Sequence, residues 1–579
     1  MSKTPNYDAK IQPILNALQP GERTCAITGE TWTMTDEEIG WYKKFNVPAP
    51  DISPNTRWKW QGYYDVGYQF WWNRHAETGK PVLSFHHPAT GVRVLPDAEW
   101  FARDFAEISV GYDRTRPFFD QMRELQLKVP LFATFNTVPP ENSLALMSLG
   151  DRDSYFTFAC KSARCFYMAG AFNTEDSSEV FLSIDCTRSH HVVHSDRIYN
   201  CRYVRESFDC MDSAFLFDCR NCRNCFGATN KRNAQYLWFN EQLTKEEWER
   251  RRAEVDFGRR SVVEACTERF ERMLREQAVW PENFNGTNAD STGDYLDGCT
   301  RTSFGFSSEK GPVDNYWSSW LYGAPQGTAF CWGAFNCSEE FLCVSSPESS
   351  KLKMSYRSQR CEDSEYLYAC VDLKNCFGCV GLKKRQFCIL NKQYTEDEYW
   401  WIVDEIKCGM LERGEYGNYF PTSMASTYVP ESGAVLYAGA SDEDLRKLGG
   451  PVFDPEAEDA MGKDRVDLSK ARRIEDVPDS IDDLTDDWIG VPIFDPEANR
   501  PFSILKPEAE YYRRERIAPP ARHFISRMKA LSFSAQKAQL EYRACAVCSA
   551  KLLTSANLCY PNRKIYCMKD YLAFVEKNG

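Results

Sequence analysis

Three of the seven histidines in this sequence, His190, His191 and His194, gather close to Cys186. Imidazole beside thiolate is a transition-metal donor set. On a strand, however, neighbouring side chains point to opposite faces. At most two of the three then reach one ion, and the reading is ordinary core and surface histidine. Asp209, Asp212 and Asp218 lie on one repeat edge. Clustered carboxylates let glycan-cleaving enzymes set an acid beside a base. Near the C-terminus, Arg513, Arg514, Arg516, Arg522, Arg527 and Lys529 would offer a basic contact face to RNA or an acidic partner. There is no G-x-S-x-G elbow, H-E-x-x-H, Walker loop or G-x-G-x-x-G fingerprint. No residue is assigned a catalytic or cofactor-binding role.

Composition sets the frame for these groups. A chain of 579 residues, 14% of them aromatic, has ample material for a core and is not disordered. The opening MSKTPNYDAKIQPIL lacks the pattern of a signal peptide, and no run approaches the ~18 apolar residues of a membrane span. The expectation is a cytoplasmic protein with no membrane partner, its 24 cysteines reduced and either packed or metal-bound. A net charge of −13 argues against binding nucleic acid over the whole surface.

The elements that position these residues are repeated. Segment 212–251 aligns without gaps to 363–402, with 13 of 40 positions identical, including Asn224-Cys225-Phe226-Gly227 against Asn375-Cys376-Phe377-Gly378. Both copies run into a capping-box pattern, Thr244-x-x-Glu247 and Thr395-x-x-Glu398, so each is a repeat body ending in a helix. Inside each body cysteines stand nine apart, as at Cys201, Cys210 and Cys219 or Cys361, Cys370, Cys379 and Cys388. In this nine-residue frame position four is small (Ser195, Ser213, Cys222, Cys337, Ser364) and position eight aromatic (Phe181, Phe208, Phe217, Phe226, Phe377). Nine residues are too few for a helical repeat, whereas short strands stacked ~4.8 Å apart suit a parallel β-solenoid. The expectation is cysteine and aromatic columns facing inward. Because serine alternates with cysteine, those columns read as packing rather than as a thiolate metal store.

A second duplication brackets the core: 32–59 aligns to 502–529, matching Tyr42 with Tyr512, Pro50 with Pro520 and Arg57 with Arg527. The pattern C-x-x-(C)-G…E-x-x-x-Y…P-x-P…C-P-x-C-R, with the tracts NCFG…NKQYT and Y-C-x-x-C-Y, resembles a group of bacterial proteins carrying a zinc-ribbon module. The resemblance covers most of the chain and implies architecture, with no activity attached. It also implies a metal site. At the N-terminal end Cys25 remains but Thr28, Ser53 and Thr56 stand in place of cysteines, so that site is expected to be lost. At the C-terminal end Cys545, Cys548 and Cys567, with either Cys559 or Asp570, are expected to bind about one zinc per chain.

The fold class expected is mainly β: a right-handed parallel β-solenoid in two segments with helical connectors, between duplicated zinc-ribbon-like α+β modules. The divisions are a degenerate module at 1–135, a solenoid segment at 136–243, a helical connector at 244–285, a second segment at 286–394, a helix at 395–415, an acidic linker at 416–500 and a module at 501–579. The modules are expected to cap the solenoid ends. The function expected is a non-enzymatic scaffold binding a protein partner or itself. The alternatives are an RNA- or ribosome-associated factor docking through the basic module, and a β-helix carbohydrate-active enzyme.

Overall fold

The structure, a computed structural model, describes residues 2–335, 341–347, 350–455 and 468–579; Cys337 and residues 456–467 of the acidic stretch lie outside them. In the first repeat body a ten-stranded sheet runs from Leu144–Leu146 to Glu241–Gln242. A five-stranded sheet, Lys161–Ala163 to Phe208–Met211, alternates with it along the chain. Their ladders are parallel up to the closing strand and, from Phe166 on, advance by a fixed step. Phe166 pairs with Ser178, Ser178 with His190, His190 with Arg202 and Arg202 with Ala214. The second body, Gly293–Asp297 to Lys392–Gln393, makes another ten-stranded sheet in which Lys353 pairs with Glu365 and Lys374 with Gln386. Each ten-stranded sheet closes on one antiparallel pairing, Leu237 with Gln242 and Cys388 with Gln393.

The stacking step, read from Phe166 to Ser178, is therefore 12 residues and not the nine of the cysteine spacing. The two reconcile through a shorter period. Every third residue from Cys165 to Ala228 is buried, none more than 5% exposed, and the same holds from Leu352 to Leu382. The residue before each has positive φ, from Arg164, Tyr167 and Gly170 through to Asn224 and Gly227. Asn and Asp are frequent there because their short polar side chains tolerate the left-handed region. Nine residues are three such interior steps; four make a rung.

Interior serines explain why position four is small. Ser189 Oγ donates to the Thr187 carbonyl at 2.9 Å and accepts from Cys201 N, one rung on, at 3.2 Å. Interior cysteines make the first of these bonds, Cys201 Sγ to Tyr199 O at 3.2 Å. An apolar side chain in place of such a serine would leave the next N–H without its acceptor. The aromatic positions differ from expectation. Phe181, Phe217, Phe226 and Phe377 each follow an interior residue, point outward, and join clusters separate from the cysteine core. In the Asn-Cys-Phe-Gly motif, Asn224 and Asn375 take φ 49° and 48°, and Gly227 and Gly378 take 70° and 67°. A Cβ on Gly227 would lie 2.6 Å from Phe239 Cδ1, and one on Gly378 2.4 Å from Phe118 Cζ, so only glycine fits.

Those outward rings are covered by distant parts of the chain, and crosswise. The N-terminal module lies on the second body: Tyr42 stacks on Phe330 at 5.2 Å, Tyr64 meets Tyr356 edge-on at 5.7 Å, and Phe118 meets Phe377 at 5.2 Å. The C-terminal module lies on the first body, with Tyr511 on Phe166 at 5.2 Å and Phe524 stacked on Tyr167 at 5.7 Å. The modules thus cover the outer faces of the sheets, where the rings are, in place of capping the ends. Residues 416–448, expected within an acidic linker, are also core. Tyr416, Phe420, Met424 and Leu436 are buried, and Tyr419 donates its hydroxyl to Ser355 O at 2.6 Å. Helices Lys245–Ala253 and Glu396–Glu412 start at Thr244 and Thr395, whose side chains accept from Glu247 N and Glu398 N as the capping patterns predict. No helix among the described residues is long and apolar enough to cross a membrane.

Candidate metal centre

Four hairpins, two in the N-terminal module and two between Ile493 and Asn557, close in the same way. The turns start at Cys25, His75, Asp495 and Cys545, and each starting residue pairs with the one five further on. Cys25 N, His75 N and Cys545 N donate to Glu30 O, Lys80 O and Ala550 O, each at 2.8 Å. The residue four further on, Gly29, Gly79, Asn499 or Ser549, is left-handed with φ 78°, 69°, 53° and 62°. Opposite each turn a helix begins, capped by Ser53, Pro96, His523 or Cys567. Ala26 N, Ala76 N and Ala546 N tie three of the turns to Asp51 O, Val94 O and Ile565 O, each at 2.8 Å; the fourth has Pro496, which lacks the donor.

This geometry brings two turn positions and two helix-start positions together four times, and one set keeps metal-binding chemistry. Cys545, Cys548, Cys567 and Asp570 each offer a ligand atom, all within 4.8 Å of one another, the one such group among the described residues. Asp570 Oδ2 stands 3.2 Å from Cys545 Sγ and 3.1 Å from Cys567 Sγ, and Cys548 Sγ is 3.8 Å from Cys567 Sγ. Val547 N and Cys567 N donate to Cys545 Sγ at 3.5 and 3.3 Å, bonds that favour a thiolate. Three thiolates and a carboxylate are a fitting set for a tetrahedral metal ion. Of the two residues weighed for the fourth place, Asp570 is in the group and Cys559 outside it.

In the other three sets internal bonds take the place of an ion. Thr56 Oγ1 lies 3.0 Å from Thr28 Oγ1, 2.9 Å from Ser53 Oγ and 3.6 Å from Cys25 Sγ. Burial raises the Cys25 thiol, but bonds from Thr28, Ser53 and Thr56 outweigh it and bring the pKa down to about 7. His75 Nε2 meets Glu99 Oε2 at 3.1 Å. Asp495 accepts from Glu497 N at 3.0 Å and His523 N at 2.8 Å, the pair of bonds that Cys545 Sγ accepts from Val547 and Cys567. By the 470-residue offset of the alignment Cys25 falls on Asp495 and His75 on Cys545, so the duplicated unit carries two such turns in each copy.

The basic residues are engaged within the chain. Arg513 pairs with Asp486 at 2.9 Å, Arg514 with Asp176 at 3.0 Å, Arg516 with Asp256 at 2.9 Å, Arg522 with Glu497, and Arg527 with Glu179. Asp486 and Glu497 belong to the acidic stretch, which thereby shields part of this face. Arg527 is half of a repeated anchor. Glu508 accepts from Tyr512 OH at 2.8 Å beneath Arg527, whose guanidinium lies 4.5 Å from the Tyr167 ring. Glu38, Tyr42 and Arg57 repeat the arrangement over Phe330, at 2.9 Å and 3.9 Å. Lys529 lines a cleft of about 580 Å³ beside Glu431 and Arg500.

The histidines and aspartates of the first body are spread over separate partners. His190 Nδ1 meets Ser178 Oγ at 2.8 Å, His191 meets Glu179 at 3.0 Å, and His194 packs on Tyr295 at 4.1 Å. Asp209 holds Arg197, Asp212 accepts from Asn200 at 2.6 Å, and buried Asp218 pairs with Arg232 at 3.1 Å. Cys331 and Cys343, on adjacent rungs, are joined as a disulfide, so not every cysteine is reduced. No family model, curated protein or solved structure matches the chain.

Proposed function

We propose that the protein is a non-enzymatic cytoplasmic scaffold. In this reading two right-handed β-solenoids, each closed around a cysteine-lined core, are clamped by zinc-ribbon modules. About one structural zinc sits at Cys545, Cys548, Cys567 and Asp570. The observation that carries the reading is the convergence of those four side chains at the last of four alike turns. Interior hydroxyls and thiols bond to the backbone, as packing requires. Along the exposed faces, charges pair from rung to rung, Arg164 with Asp176 at 2.8 Å and Arg360 with Asp372 at 2.7 Å. Such a regular face suits a protein partner or a second copy of the chain. Native mass spectrometry of protein taken from its source tests this. The expected species carries about one zinc, lost on chelation, and a partner or further copies. A metal-free monomer, or turnover of a glycan, would overturn the reading.

A further inference from the structure

We propose that Cys210 with Cys222, and Cys376 with Cys388, are disulfide-forming pairs, two peroxide-sensitive staples across neighbouring rungs near the end of each body. Among the described residues three pairs of interior cysteines stand one rung apart, each pair in its own column, and one of them, Cys331 with Cys343, is already bridged. Its Cα atoms are 5.1 Å apart, inside the roughly 4.4–6.8 Å a disulfide spans. The same column spacing holds the other two pairs. Cys376 and Cys388 are ladder partners, and bridges from Phe208 to Arg220 and Met211 to Arg223 hold Cys210 level with Cys222. The Cys222 thiol also neighbours those of Cys219 and Cys225, and the Cys376 thiol that of Cys379; the one-rung register is what singles out Cys210 and Cys388 as partners. All four are free and at most 1% exposed. Other interior cysteines lack such a neighbour: one rung beyond Cys201 stands Ser213, and beyond Cys361, Leu373.

The chemistry balances with a peroxide as oxidant. One sulfur, as thiolate, attacks the O–O bond, giving a sulfenic acid and one water. The second sulfur then displaces the sulfenic oxygen as another water. Two S–H bonds and one O–O bond are lost, one S–S bond and two waters form, and two electrons pass from sulfur to peroxide. Access is through the closing rungs, which end only in the two-residue strands Glu241–Gln242 and Lys392–Gln393, and stack ends open most readily.

The test uses the reduced full-length chain, exposed to hydrogen peroxide at about pH 8, then quenched, unfolded, alkylated and digested. Expected are cross-linked peptides joining Cys210 to Cys222 and Cys376 to Cys388, absent before treatment and removed by dithiothreitol, with two thiols lost per bridge. C222S and C388S should each delete only their own cross-link, and the wild-type map stands if either fails to fold. The proposal is overturned if the four cysteines alkylate fully, stop at sulfenic or sulfinic acid, or cross-link to Cys219, Cys225 or Cys379 instead.

Discussion

Asp570 is the weak member of its quartet, an oxygen donor among three sulfurs. Replacing it by cysteine should raise retention of zinc against a competing chelator by about tenfold or more, since site composition tunes affinity on that scale. Cys545→Ser should abolish binding, while Cys559→Ser and Cys25→Ser should leave metal content unchanged; elemental analysis after dialysis checks all four. A second residue prediction concerns pH. Lys537 is fully buried, its ammonium donating to Leu436 O at 2.7 Å, Ser532 O at 2.6 Å and Ser532 Oγ at 3.0 Å, all neutral acceptors. Burial lowers its pKa to about 7 from the usual 10.5. Between those two values the unfolded chain binds the extra proton, so this group adds stability as pH rises from about 7 towards 10 and withdraws it on acidification. Lys537→Met should flatten the slope by up to about 1.4 kcal/mol per pH unit, read from denaturant midpoints of both proteins at pH 7 and 9. An unchanged slope would mean the ammonium is neutralised by something else.

At the scale of elements, the rung is a chain of triplets: an outward residue, a left-handed one and an interior one. Gly227→Ala or Gly378→Ala adds a Cβ both at positive φ and against a ring, and should cost about 2–4 kcal/mol. Asn221→Gly, at φ 51° with its side chain exposed, should be nearly neutral. Thermal melts of the three variants decide this. The triplet also marks how far the sequence could be read. Parallel strands, the helices after Thr244 and Thr395, and the small interior positions were legible because hydroxyl, thiol and capping chemistry each demand a residue type. The rung length was not. A pattern of period three fits any multiple of three, and cysteine happened to recur at nine, while the 12-residue register lives in backbone pairings that carry no residue preference. The Asn, Asp and Gly residues that recur at three-residue multiples, as at Asp209, Asp212, Asp218, Asn221, Asn224 and Gly227, would have exposed the triplet. The outward rings were misread for a related reason: an aromatic buried from outside looks in sequence like one buried from within. Of the candidate metal quartet, the three cysteines came with the resemblance to zinc-ribbon proteins, whereas choosing Asp570 over Cys559 needed the helix that begins at Met568.

At the scale of the molecule, each body is finished by the module from the far end of the chain. Removing residues 1–135 should uncover Phe330, Phe341, Tyr356 and Phe377 and drive aggregation on a sizing column; a truncated chain that stays monomeric with an unchanged Tm would show that the cover is dispensable. The crossing has a temporal side as well. Tyr7 N donates to Asp404 across 397 residues, and Asn55 to Leu540 across 485. At a synthesis rate of about 5–20 residues per second, the N-terminal module emerges some 20–100 s before its partners do. Trp58, Tyr63 and Tyr64 likewise wait for Trp317, Leu445 and Tyr356, and the first body stacks before Tyr511 and Phe524 arrive to cover it. Neither interface can therefore close until a stretch well over a hundred residues further along the chain has been made: the second body for the N-terminal module, and the module around Tyr511 and Phe524 for the first body.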